Sequence, residues 1–359
     1  MFLGHGTLGY SIKQSDSIPP SFNYDLSQPT RGLEAHEMSI SPAMFARAAT
    51  RPEHCTKDTC PASYSIYGYA PNLGANAFFV AIFAISCLTF CYQARLYRKW
   101  LGFSIAMILG TALESVGYGS RLMLSTDPFS ATGFKLNIVL LTFAPAFLTA
   151  GIYLLLKHLT LSLSPRLSPL KPSLYTPIFV SCDLAAIILQ GAGGAISAAA
   201  ANGTDKKLLD LGVNVMIAGL SSQVVTLAIF ATLAGVFFFR MAGARDTLEP
   251  HAGHLWQASG FRMFVISAIL AFVFIFIRCA YRIAELKDGW GSPIMRRENE
   301  FIILDSVMIS VAAVSLNIFH PGRCFRQNLN ETAVDLSTLD QKDGDEESIQ
   351  VYALSKAHA

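Results

Sequence analysis

Residues 74–92 read GANAFFVAIFAISCLTFCY and contain no charged side chain. A helix needs about 20 mostly apolar residues to cross the hydrocarbon core of a bilayer, so this stretch predicts a membrane-spanning helix. Further stretches of this type follow along the chain at 101–122, 136–156, 176–198, 211–239, 263–280 and 301–319. We therefore predict an all-α, polytopic membrane protein with seven transmembrane helices.

The composition of the whole chain agrees with this prediction. Of the 359 residues, 52% are hydrophobic and 14% are charged, whereas soluble domains carry about 25% charged residues. The net charge of +2 gives no reason to expect a nucleic-acid partner. We predict three regions: a disordered extracellular tail at 1–66, the membrane domain at 67–326 and an acidic, disordered cytoplasmic tail at 327–359.

Lysine and arginine in the short loops predict the orientation, because cytoplasmic loops are richer in these residues. On one side of the membrane lie the loops that join spans one and two, three and four, and five and six, together with the segment after span seven. This side carries eleven lysines and arginines, and the other side carries seven. We expect the N-terminus outside and the C-terminus in the cytoplasm. The sequon at Asn202 would then be a glycosylation site. Cys55 and Cys60 would lie in an oxidising space, where they either form a disulfide or stay free.

The second span contains ESVGYGSR at 114–121, in the middle of an otherwise apolar stretch. A charged side chain at bilayer depth costs roughly 2.5–3.5 kcal/mol on insertion scales, so such residues face the interior of the helix bundle. Glu114, Tyr118 and Arg121 lie at i, i+4 and i+7 and share one helix face. They are either a structural ion-pair network or a surface that contacts a ligand.

Other spans repeat this pattern of isolated polar residues. Asp183 and Gln190 lie seven residues apart in the fourth span, followed by a glycine-rich run that either lets helices approach closely or leaves room for a ligand. Pro145 interrupts the third span and predicts a kink or hinge. Several groups fall in the predicted outer half of the bundle, where an outward-facing polar cavity is plausible. These groups are Arg121, Arg278, Arg282, Glu285 and Asp305.

Several kinds of chemistry lack their motifs. The chain has no G-x-x-x-x-G-K-[ST] phosphate loop, no G-x-S-x-G nucleophile motif and no lysine in the seventh span that would hold a retinal. Histidines are absent from the depth of the spans, so no intramembrane metal site is expected. We predict a protein that is not an enzyme and that needs no cofactor or metal.

The motifs in their order also resemble a known family. The chain carries ESVGYGSR, TFAPAFLTAGIYLLL, DLAAIILQGAGG and HPG in the second, third, fourth and seventh spans. This set resembles the fungal RTA-like family, also called the lipid-translocating exporter family, over about residues 67–326. The resemblance implies a seven-span membrane protein associated with resistance to toxic amphiphiles and with release or flip of sphingoid long-chain bases.

The resemblance also implies a set of site residues, which coincide with the polar positions in the spans. They are Glu114, Tyr118, Arg121, Asp183, Gln190, Gln223, Arg282, Glu285 and Asp305. Our first hypothesis is a plasma-membrane transporter whose partners are membrane lipids and amphiphilic small molecules. The alternative is a seven-span sensor of lipid or amphiphile stress without transport activity.

Overall fold

The computed structural model describes residues 56–200, 206–244 and 259–324. Its described part contains seven helices that are long and apolar enough to cross a membrane, which confirms the predicted number of spans. The first six are α1 (Leu73–Leu96), α2 (Leu101–Thr126), α3 (Ala131–Leu163), α4 (Pro172–Ala200), α5 (Lys206–Gly243) and α6 (Ser259–Leu286). The seventh, α7, consists of α-helical Glu298–Phe301, a π-helix at Ile302–Val307 and α-helical Met308–Ile318.

The helices extend beyond the apolar stretches that predicted them. The Asn72 side chain caps α1 by accepting a hydrogen bond from the backbone N–H of Ala75 at 3.0 Å. Ser130 caps α3 in the same way through the N–H of Gly133 at 3.2 Å. Polar caps satisfy the first free N–H groups of a helix and are invisible to a hydropathy count. The predicted spans are therefore correct in number but too short at most of their ends; α2 begins at the predicted residue 101, and α7 ends at Ile318 where 319 was predicted.

Helices that follow each other in the chain pack side by side, and α7 closes the bundle by packing against both α6 and α1. The third helix also contacts α6, in addition to its neighbours α2 and α4. Over its most apolar 18 residues 56% are buried, against 28% for α1, α4 and α5. Helix α3 is therefore the most enclosed helix of the bundle, and its polar groups face protein on several sides.

Helix α4 is buried along one narrow stripe only. Leu184 and Ile188, which flank this stripe, are 56% and 62% exposed and form part of the apolar exterior. The buried residues recur every three or four positions: Tyr175, Phe179, Asp183, Ala186, Gln190, Gly193, Ser197 and Ala200. Both polar residues predicted in the fourth span thus belong to the one face that meets the rest of the bundle.

Glycines bring the backbones of α4 and α5 into direct contact. A Cβ atom added at Gly193 would lie 2.5 Å from the backbone nitrogen of Met216 and 2.6 Å from the carbonyl oxygen of Gly212. An added Cβ at Gly194 would have its nearest neighbour at 3.7 Å, an ordinary contact. The sequence left open whether the glycine-rich run allows close helix packing or leaves room for a ligand. At Gly193 the structure shows close helix packing.

The π-helix in α7 was not foreseen from the sequence. A π-helix widens the backbone by one residue in a turn, and such turns occur frequently at functional sites. Here it spans Ile302–Val307 and includes Asp305, whose side chain is fully buried. This carboxylate therefore enters the bundle from a turn that is wider than that of a regular α-helix.

The segment before α1 is folded onto the bundle, since Ser65 and Tyr67 are both buried. The folded region thus begins slightly before the predicted boundary at residue 67. Cys60 is disulfide-bonded. Its predicted partner Cys55 lies outside the described residues, as do Asn202 and the tail at 327–359, so those predictions and the orientation stay predictions.

The contact between α4 and α5 yields a test of packing. We expect Gly193→Ala to lower the melting temperature clearly, because the added methyl group meets backbone atoms that cannot turn away; overpacking of this kind costs about 1–3 kcal/mol. Gly194→Ala is the matched control and should leave stability unchanged or slightly higher, since alanine favours helix. The melting temperature of each variant is measured on detergent-purified protein, with size-exclusion chromatography after heating as the readout. Equal melting temperatures of the two variants would contradict the close contact.

Candidate functional site

The buried charges of the described bundle are four carboxyl groups and three guanidinium groups, each at most 7% exposed. They are Glu114, Asp183, Glu285, Asp305, Arg121, Arg278 and Arg282. Charged groups at this depth are stable only when they are paired or hydrogen-bonded. Their partners therefore determine what the interior of the bundle can do.

Arg278 on α6 is the centre of the main cluster. Its Nη1 atom lies 2.9 Å from Oε1 of Glu114 on α2, and its Nε donates to Oδ1 of Asp305 on α7 at 2.8 Å. Its Nη2 donates to the backbone carbonyl of Leu141 on α3 at 2.9 Å. One fully buried side chain thus joins four helices.

Pro145 explains why the Leu141 carbonyl is available. Proline has no backbone N–H, so the carbonyl four residues earlier in a helix loses its normal donor. That carbonyl belongs to Leu141, and Arg278 supplies the missing hydrogen bond. Helix α3 runs through Pro145 without a break. The structure thus gives Pro145 a definite role as the source of an acceptor, and its predicted role as a hinge stays a prediction.

Asp305 receives more contacts than any other carboxylate of the cluster. Besides Arg278, Nε of Arg282 lies 2.8 Å from its Oδ1, and the Tyr118 hydroxyl donates to its Oδ2 at 3.1 Å. Arg282 also pairs with Glu285, three residues further along α6, at 2.8 Å. Five predicted site residues therefore form one cluster with Arg278: Glu114, Tyr118, Arg282, Glu285 and Asp305.

Arg121 belongs to a different set of contacts. Its Nε donates to the side-chain oxygen of Asn76 at 3.1 Å, and its Nη2 donates to the Tyr69 hydroxyl at 3.1 Å. The guanidinium carbon lies 4.0 Å from the centre of the Phe301 ring, a cation–π contact. Glu114 and Arg121 do not contact each other, and Glu114 forms its ion pair with Arg278. Seven residues along one helix separate them by about 10 Å, and each finds partners on other helices instead.

Tyr69 and Tyr67 lie in the segment before α1 and cover this end of the cluster. The Tyr67 hydroxyl donates to Asn137 at 2.8 Å, and its ring lies 5.2 Å from the Arg121 guanidinium carbon. Burial raises the pKa of the Tyr69 hydroxyl above its ordinary value, although the positive charge of Arg121 acts in the opposite direction. Both phenols are therefore neutral donors and acceptors at physiological pH.

Asp183 is separate from the arginine cluster. Its Oδ2 lies 2.8 Å from the Thr149 hydroxyl and 3.0 Å from the Tyr153 hydroxyl, both on α3. Gln190, two turns further along α4, donates to Gln223 of α5 at 3.0 Å. This bond agrees with the simpler role of an interhelical hydrogen bond.

The expected outward-facing polar cavity takes a different form in this structure. Arg121, Arg278, Arg282, Glu285 and Asp305 are buried and bind protein groups, so they do not line an open vestibule in this conformation. These charges pair with protein groups because each unpaired charge inside the bundle would lose several kcal/mol of solvation free energy. The described ranges also contain no group of three or more His, Cys, Asp or Glu side chains that could hold a metal ion.

The sequence analysis missed several groups that complete the site. Arg278 was placed in the outer group but not among the proposed substrate positions, although it lies one turn before Arg282 on the same helix face. Thr149 and Tyr153, which bind Asp183, are four residues apart within the TFAPAFLTAGIY motif. This i, i+4 spacing of hydroxyl groups in an apolar span was the available signal.

The fold and the buried charges define a multi-pass, seven-helix membrane protein with an ion-paired core. The family model described as "RTA1 like protein" matches residues 107–328. The chain therefore belongs to the RTA1-like family, as the sequence motifs indicated.

Two relatives place the chain more closely within that family. It is 34% identical over 292 residues to a protein of Saccharomyces cerevisiae (strain Lalvin EC1118) named sphingoid long-chain base transporter RSB1, covering 74% of this chain and 75% of the relative. It is 27% identical over 280 residues to a protein of Leptosphaeria maculans named lipid-translocating exporter-like protein RTA1, covering 72% of this chain and 51% of the relative. No solved structure matches.

The central position of Arg278 yields a second test. Arg278→Lys should destabilise the protein, because the compact ammonium group lacks the planar fork of donors that reaches Glu114, Asp305 and the Leu141 carbonyl on three helices. The loss should stay below the cost of removing a buried charge altogether, about 3–5 kcal/mol, since lysine keeps the positive charge. Arg240→Lys, at an exposed position near the end of α5, is the matched control. The melting temperatures of the two variants are compared in detergent. A fully stable Arg278→Lys variant would show that the cluster does not hold the helices together.

Proposed function

We propose that this protein translocates cationic amphiphilic lipids of the sphingoid long-chain base class across the membrane. The observation that carries the proposal is the 34% identity, over about three quarters of both chains, to a protein named sphingoid long-chain base transporter. Such a lipid consists of an ammonium-bearing head group and one long apolar chain. Its movement between leaflets requires no covalent change, which agrees with the prediction that the protein is not an enzyme.

The charge balance of the bundle supports a cationic substrate. Its buried groups comprise four carboxyl groups but only three guanidinium groups. A cationic head group that enters this interior therefore meets an excess of acidic groups. A carboxyl group can pair with a cationic head group but offers no charge partner to an anionic one, so this composition favours positively charged amphiphiles over negatively charged ones.

The acidic groups differ in how fully they are occupied. Asp305 binds two arginines and a tyrosine, so its two oxygens are already used. Oδ1 of Asp183 has no hydrogen-bond partner among the described residues. Neither oxygen of Glu114 has one there either, although its Oε1 lies 2.9 Å from Nη1 of Arg278. These two side chains are the acidic groups best able to receive a head group. Arg282 would orient the carboxylates of Glu285 and Asp305, whereas Arg121 would hold the segment before α1 through Tyr69.

At the level of the cell, the proposal places the protein in the plasma membrane, where it lowers the toxicity of amphiphiles by moving them between leaflets. The alternative class is a sensor that binds the same lipids but moves none. Lipid binding by itself is expected of both classes, so the rate of movement between leaflets is the property that separates them.

Purified protein in liposomes gives the direct test. We expect a fluorescent sphingoid base, added to the outer leaflet, to become protected from a membrane-impermeant quencher several times faster than in protein-free vesicles. Vesicles that contain an unrelated seven-helix protein control for nonspecific perturbation of the bilayer. Saturable binding without faster movement would favour the sensor and overturn the transporter.

A single substitution tests the cluster in cells. Glu114→Gln removes the carboxylate beside Arg278 and leaves two carboxylates against two guanidinium groups in the cluster, so the cluster loses its net negative charge and its attraction for a cationic head group. We expect loss of tolerance to toxic sphingoid bases at unchanged surface expression. Asp288→Asn, at an exposed position in the loop between α6 and α7, is the control. Full tolerance in the Glu114→Gln strain would exclude a functional role for this carboxylate.

A further inference from the structure

Asp183 stands apart from the other buried carboxyl groups of the described bundle. Glu114 pairs with Arg278, Glu285 pairs with Arg282, and Asp305 pairs with both arginines. Asp183 is only 2% exposed and has no ion pair within the described ranges. It is therefore the one buried carboxyl group of the described bundle that has no arginine partner.

The groups that face Asp183 are neutral. Helix α3 contributes the hydroxyls of Thr149 and Tyr153, and the Cys279 thiol of α6 lies within electrostatic range. Helix α5 contributes the Phe230 ring, which lies 4.6 Å from the Tyr153 ring. An ionised carboxylate in such surroundings would cost several kcal/mol, whereas a protonated carboxyl group would not.

The number of protons available at the neighbouring hydroxyl groups also favours a protonated Asp183. Three short oxygen–oxygen contacts meet here: Thr149 to the Ala146 carbonyl at 3.0 Å, Thr149 to Asp183 at 2.8 Å, and Tyr153 to Asp183 at 3.0 Å. The two hydroxyl groups bring only two protons, and a carbonyl brings none. With an ionised Asp183, Thr149 has to divide its one proton between Asp183 and the Ala146 carbonyl. With a proton on Asp183 each contact would have a donor of its own, since the carboxyl group would donate to Thr149 and Thr149 to Ala146.

The second oxygen of Asp183 is available for a ligand. Oδ1 is buried and has no hydrogen-bond partner among the described residues. One turn before it on α4 lies Phe179, whose ring is 5.3 Å from that of Tyr153 and 5.2 Å from that of Phe230. Aromatic faces beside a carboxylate are a combination that binds organic ammonium groups.

We propose that Asp183, Thr149 and Tyr153 form a cation-exchange site, which holds a proton at rest and exchanges it for the ammonium group of the lipid. This inference rests on the proposed function. In the exchange the O–H bond of the carboxyl group breaks and the proton leaves to water. The carboxylate then pairs with the ammonium group, and the Thr149 hydroxyl turns from the Ala146 carbonyl to Asp183. No electrons are transferred, and one lipid cation moves against one proton.

The probe for the test is an N-trimethylated, fluorescent sphingoid base, which is permanently charged and cannot carry a proton across the bilayer itself. Proteoliposomes contain a pH-sensitive dye, and the probe is added outside. We expect its inward movement to raise the internal pH with about one proton released per lipid. Because the site exchanges charge for charge, a potassium ionophore should not change this ratio.

Asp183→Asn tests the assignment to this residue. The amide keeps the shape and the neutral charge of a protonated carboxyl group but cannot pair with a cation, so both lipid movement and the pH change should fall at least about tenfold. Its melting temperature at neutral pH should match that of the Asp288→Asn control. A strongly destabilised Asp183→Asn variant would show that the carboxyl group is ionised at rest and would overturn the proposal.

The other outcomes separate the two proposals. If the unmodified protein moves no lipid, the proposed function fails. If it moves the probe without a pH change, lipid movement stands and proton exchange is overturned. If Asp183→Asn retains both the movement and the pH change, the exchange site lies elsewhere, and the assignment to Asp183 is overturned.

Discussion

The contact between Arg278 and the helices around it is the constraint on which the bundle depends. Its guanidinium group meets Glu114, Asp305 and the Leu141 carbonyl, which belong to α2, α7 and α3. Helix α3 can provide this carbonyl because of Pro145, and α7 presents Asp305 from a π-helical turn. Two local departures from regular helix geometry thus serve one side chain. An α-helix without them would leave the guanidinium group short of acceptors.

This arrangement divides the polar interior into parts with different roles. In the arginine cluster both guanidinium groups are ion-paired, and such a network resists change because each broken ion pair exposes an unpaired charge. Asp183 has only neutral partners and one unused oxygen. Cation binding there requires no ion pair to break. The separation allows a firm framework and an exchangeable site to exist in the same bundle.

The sequence predicted the part of the fold that depends on hydropathy. Seven apolar stretches gave seven helices, and the cost of burying charge selected residues that the structure does bury, from Glu114 to Asp305. Partner choice was not predictable in the same way, because residues on one helix face need not contact one another. Glu114 and Arg121 share α2 but reach opposite sets of partners. The π-helix also escaped prediction, since its sequence is as apolar as that of a regular span.

The narrow buried stripe of α4 has a consequence for the path of a lipid. Asp183 lies on the stripe, while its neighbours Cys182 and Leu184 are exposed on the apolar exterior. The carboxyl group is thus separated from the acyl chains of the bilayer by the thickness of a single helix edge. A one-chain lipid that enters sideways at this edge keeps its tail in the hydrocarbon layer throughout, and only its head group has to change surroundings. The cost of translocation then falls on a few polar atoms instead of on the whole molecule.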